Sequence, residues 1–156
     1  MKYNTRLEVS TRIKATVDEV WDALTNPAII KKYFFGTNTE TDWKPGQPIR
    51  FKGEWQGKTY EDKGTVLKYE KNKALSYSYW SSMSGIEDLP ENYGIVNYEV
   101  SGEDGDVEVK VIQQNIPDEK MKEHSAENWK KVLHDLKELL EHDEKIIPFN
   151  LADKIE

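Results

Sequence analysis

Leu7, Val9, Thr11 and Ile13 alternate with Glu8, Ser10, Arg12 and Lys14, a period of two that predicts a half-buried first strand. Thr16 follows as a helix cap, with Asp18 and Glu19 in the first turn, where the helix dipole favours acids. Val17, Val20, Trp21 and Leu24 then form a helical stripe, and Asn26-Pro27 ends that helix and opens a second, short one through Ile30 to Tyr33. From Gly36 to Gln113 the pattern is strands and turns: 49–55, 60–70, 74–80, 93–100 and 106–114. Gln56-Gly57, Lys71-Asn72 and Gly102-Glu103-Asp104-Gly105 supply the tight turns.

Pro117 and Asp118 open the longest helix, expected to run to about Lys145. Met121, Ser125, Trp129, Val132, Leu133, Leu136, Leu139 and Leu140 recur at helical spacing, while the opposite face is Lys, Glu and Asp. One wide apolar helix face must bury against one sheet face. The expected class is therefore α+β: a curved antiparallel sheet of about six or seven strands around a long C-terminal helix, with two short helices after strand 1. With no repeat or linker visible, residues 1–147 read as a single domain and 148–156 as a short tail.

Composition narrows the function classes. A chain of 156 residues with five Trp, eight Tyr and four Phe has the apolar material for a core. Its net charge of −7 and interleaved basic residues argue against nucleic acid as a partner. Absence of cysteine excludes thiolate chemistry and disulfides. No stretch approaches the length of a membrane span and no leader is visible, so the expectation is a cytoplasmic monomer without membrane or cofactor. His124, His134 and His142 are ten and eight residues apart, unlike ligands on one helix face, and no metal site is expected. Glu61/Asp62 are strand neighbours pointing to opposite faces, and no catalytic pair is read there.

Three segments carry a resemblance. They are the run from Ile13 through Thr16-Val17-Asp18-Glu19-Val20-Trp21 to Asn26-Pro27 and on to Tyr33-Phe34; Thr41-Asp42-Trp43-Lys44-Pro45-Gly46; and Asn128-Trp129 through His134 to Glu141. Together they resemble the START-like, or SRPBCC, helix-grip superfamily. Within it they resemble the family named for the C-terminal domain of the activator of the ninety-kilodalton heat-shock chaperone's ATPase. The resemblance implies the helix-grip fold and a cavity under the long helix. It leaves the chemistry open, because relatives include lipid carriers, hormone receptors, polyketide cyclases and co-chaperones.

Strand alternation directs Phe51, Tyr77, Tyr79, Tyr98, Val109, Val111 and Gln113 toward that space. Met121, Ser125, Trp129 and Val132 approach it from the long helix, and Tyr33 and Phe34 from the short one. These side chains either line a ligand cavity or simply fill the core. Trp21 is expected in the core; Trp43 either caps the cavity mouth or pins its loop. The leading expectation is non-catalytic binding of a small hydrophobic, amphipathic or aromatic molecule. The alternatives are a stress-related co-chaperone-like protein with a chaperone partner, and a cyclase- or hydrolase-type enzyme drawing on Tyr77, Tyr98 or His124.

Overall fold

The computed structural model describes residues 2–142. The first strand, β1 (Thr5–Ile13), buries Leu7 and Ile13 and exposes the residues between them in alternation. Helix α1 (Val17–Thr25) starts in a reciprocal capping box. Thr16 Oγ1 accepts from the Glu19 amide at 3.0 Å, and the Glu19 carboxylate accepts from the Thr16 amide at 2.9 Å. Helix α2 (Pro27–Tyr33) has Pro27 in its first turn and Asn26 as cap. The strands β2 (Asn38–Glu40), β3 (Pro48–Trp55), β4 (Lys58–Glu70), β5 (Ala74–Tyr79), β6 (Gly94–Glu103) and β7 (Asp106–Ile116) follow. Helix α3 (Glu119–Glu141) closes the fold, its Asp118 cap accepting from the Met121 amide at 2.8 Å.

All neighbours pair antiparallel in one seven-stranded sheet of order β1-β7-β6-β5-β4-β3-β2. This is the α+β arrangement of antiparallel sheet and long C-terminal helix that the hydrophobic pattern predicts, and the helix-grip fold that the resemblance implies. Strand β2 escaped prediction because three residues are too few to show a period. Strand β5 stops at Tyr79, and Trp80 instead makes an isolated bridge to Lys63. The expected helix end near Lys145, the domain bound at 147 and the tail at 148–156 lie outside the described residues.

The core fills the space between the concave face of the sheet and the helices, with Ile13, Ile49, Leu75, Val107 and Leu136 fully buried. Helix α3 packs chiefly against β1, and no comparable packing joins it to β3, β4 or β5. Its C-terminal end is fastened to the end of β1 twice. Lys137 Nζ donates to the Arg12 carbonyl at 2.7 Å, and the Lys14 amide donates to Glu141 Oε2 at 2.8 Å. A helix anchored along one edge of a curved sheet leaves a wedge above the other strands. That wedge holds the site.

Candidate ligand-binding cavity

The wedge is a cavity of about 340 Å³. Its floor is an aromatic group from β3 and β5: the Phe51 ring lies 5.4 Å from that of Tyr77 and 5.8 Å from that of Tyr79. Its roof is α3, which contributes Ser125, Asn128, Trp129 and Val132. Trp129 is fixed edge-on by Phe34 at 5.7 Å and Tyr98 at 5.8 Å. Phe35 and Met83 line the cavity while 40% and 51% exposed, which places them at its mouth, with His124 beside them in the lining. Phe35 holds a left-handed backbone, φ 53°, leading into Gly36 at φ 71°. That backbone is costly for a bulky residue, and the tight turn turns the chain from α2 back toward β2.

The apolar walls carry a few polar groups. Gln113 Oε1 accepts from Trp129 Nε1 at 2.8 Å; because an indole only donates, this bond fixes the amide orientation and leaves the Gln113 amide nitrogen as the end available to a ligand. Thr37 and Tyr60 share a hydroxyl–hydroxyl bond of 2.7 Å. Asp62, 6% exposed, accepts from the Tyr79 hydroxyl at 2.8 Å, from the Ser82 amide at 2.9 Å and from the Ser82 hydroxyl at 3.3 Å. Ser82 is held in place by a tethered loop: Lys63 pairs with Asp88 at 2.7 Å, Tyr93 donates to Asp88 at 2.6 Å, and Trp80 Nε1 donates to the Ile86 carbonyl at 2.9 Å. Burial pushes the phenols of Tyr77, Tyr79 and Tyr98 up from their ordinary range, and for Tyr79 the adjacent Asp62 carboxylate adds to the effect. These tyrosines are donors at neutral pH, not bases.

Of the residues directed here by sequence, Phe34, Phe51, Tyr77, Tyr79, Gln113, Ser125, Trp129 and Val132 come together in the lining. Tyr33 lies outside it, its hydroxyl donating to the Ala23 carbonyl at 2.8 Å. Tyr98 packs beneath Trp129, Val109 and Val111 are fully buried in the core, and Met121 packs against the core near the start of α3. Trp43 takes the loop-pinning place: its Nε1 donates to the Thr25 carbonyl at 2.8 Å and its ring stacks on Tyr69. Trp21 is in the core and donates to the Tyr69 hydroxyl at 3.1 Å.

Phe35, Thr37, Tyr60, Asp62, Met83, Val96 and Asn128 complete the lining without having been read as ligand-facing, and His124, named from sequence only for the enzyme alternative, joins them. Asp62 and Val96 left a signal. Asp62 shares the inward parity of Val66, and Val96 that of Tyr98. Thr37 and Met83 sit in irregular segments with no period to read. Among the described residues no group of His, Asp and Glu could hold a metal ion.

With this geometry in hand, comparison with known proteins decides the family. The model of the family described as activator of Hsp90 ATPase homolog 1-like protein matches residues 14–141. The chain belongs to that family. As a member of it, the chain shares the SRPBCC-type fold with many solved structures. It is similar to ChR145 from Cytophaga hutchinsonii, known from a solution structure, at 45% identity over 90% of this chain and 96% of that one, with a TM-score of 0.76. The fold also matches the Aha1 dimer from Colwellia psychrerythraea at 18% identity, covering 90% of this chain and 98% of that one, with a TM-score of 0.70. CalU16 from Micromonospora echinospora matches at 23% identity, 86% and 73% coverage and a TM-score of 0.66. Comparison with curated proteins found no match. No helix among the described residues is long and apolar enough to cross a membrane.

Proposed function

We propose that the protein binds a small amphipathic molecule in the cavity between the sheet and α3. The observation that carries this reading is an aromatic-walled space of about 340 Å³ that also holds a few polar groups, Asp62 and Gln113 among them. Such a composition suits a ligand held by burial and oriented by a few hydrogen bonds. Burying ~200 Å² of ligand apolar surface contributes about 5 kcal/mol before ordering costs. Added polar anchors bring the expected affinity to about the micromolar range. The family's fold supports the cavity reading and leaves the ligand undetermined.

Ser125 lines the cavity from the partly exposed N-terminal half of α3, so a larger side chain there fills the space without displacing core residues. The test uses N-phenylnaphthylamine, a neutral dye that brightens on leaving water. The native chain should bind it with saturable, micromolar affinity, and Ser125→Trp should weaken binding about tenfold or more while melting within a few degrees of the parent. Equal binding by both chains would place the dye elsewhere and remove the reading's support.

A further inference from the structure

The charge of the lining narrows the ligand further. Among the described residues, Asp62 and His124 are the only ionisable side chains in its lining apart from tyrosine phenols, and no Lys or Arg lines it. An anionic ligand such as a fatty acid would therefore find no permanent cation in this lining and would meet a buried carboxylate.

Asp62 has an acceptor to spare. A carboxylate offers about four lone-pair positions. Oδ1 takes both Ser82 donors, whereas Oδ2 takes only the Tyr79 hydroxyl. Among the described residues Asp62 joins no ion pair, unlike the surface acids Glu40, Asp88 and Asp106 and the buried Glu141. Burying a carboxylate with hydrogen bonds but without a cation is costly. The cost is offset when a ligand brings the positive charge. Phe51 pairs with Asp62 across β3 and β4 and Tyr79 donates to it, so aromatic carbon lies next to the carboxylate, and an aromatic face attracts a cation.

We propose that the cavity selects ligands bearing a protonated amine, which donates to Asp62 Oδ2 while the apolar body packs between Phe51, Trp129 and Val132. This rests on the binding reading above and deepens it.

The test compares three molecules with one hydrophobe and different heads: naphthylethylamine, naphthylethanol and naphthylacetate, each displacing N-phenylnaphthylamine. In the native chain the amine should bind at least about tenfold more tightly than the acid, with the alcohol between them. Asp62→Asn should bring the three affinities to within about twofold of one another. Nuclear Overhauser contacts between the amine-bearing methylene and the Tyr79 ring locate the head group in the native chain, independently of how well the variant folds. Equal affinities in the native chain, a preference that survives Asp62→Asn, or a methylene far from Tyr79 would each overturn the amine assignment. If the alcohol still binds and Ser125→Trp blocks it, the binding reading stands without the amine. Failure of all three to bind would overturn both.

Discussion

Two kinds of polar group matter at the scale of single residues: those the protein satisfies itself and those it leaves half-satisfied at the cavity. Tyr33, bonded to the Ala23 carbonyl, is of the first kind; Asp62 and Gln113 are of the second. Glu141 is a satisfied group whose contribution should depend on pH. Its hydrogen bond from Lys137 at 2.7 Å, followed by that from the Lys14 amide, holds its carboxyl below the usual glutamate range. A folded-state pKa below the unfolded one stabilises fully above the unfolded value and is lost as pH falls through the folded value. Glu141→Gln should therefore melt lower than the native chain at neutral pH, and the difference should close below about pH 4. Thermal melts of both proteins across that range check it; a gap that persists in acid would assign the loss to packing instead. Among the side chains directed to the cavity by sequence, Gln113 and Ser125 lie in the lining beside Phe51, Tyr77 and Tyr79, whereas Tyr33 and Tyr98 do not, and Asp62 went unread. Parity reveals which face Tyr77 and Tyr79 occupy, but the partners of a carboxylate come from a distant loop, as Ser82 does for Asp62.

Strong periods and caps made most elements legible. Thr16, Asn26 and Asp118 stand as caps where their residue types predict, and β1, α1 and α3 follow the hydrophobic pattern. The pattern predicts a curved sheet but not where its strands approach most closely. Gly64 in β4 marks one such approach: a Cβ there would lie 1.7 Å from the Ser78 carbonyl oxygen of β5, far inside contact distance. Beside it, the Thr65 amide donates to Ser78 Oγ at 2.9 Å in place of a regular ladder bond. The approach lies between Asp62 and Val66 on one strand and beside Tyr79 on the other, so it also shapes the polar end of the cavity. Gly64→Ala should cost about 1–3 kcal/mol or more, because backbone must move to admit the methyl. It should also weaken N-phenylnaphthylamine binding; chemical denaturation and dye titration of the same variant check both, and an unchanged midpoint would contradict the close packing.

For the whole molecule, the decisive feature is asymmetric anchoring of one helix. Helix α3 is bonded at its C-terminal end to the segment from Arg12 to Lys14 and at Trp129 to Gln113 of β7. Over β3 and β5 it spans a space instead of packing into it. Interiors usually fill to crystal-like density, so a space of about 340 Å³ walled by aromatics is an expensive feature to keep unless something occupies it. Sequence and family membership lead to that space, yet the same architecture serves many chemistries, and the lining side chains set the occupant. Occupancy is most directly measured by native mass spectrometry of the protein isolated from its own cells, run beside Ser125→Trp isolated in the same way. The binding reading predicts a one-to-one small-molecule adduct on the native chain that is absent from the variant. An adduct of equal occupancy on both, or the bare mass alone for both, would contradict it.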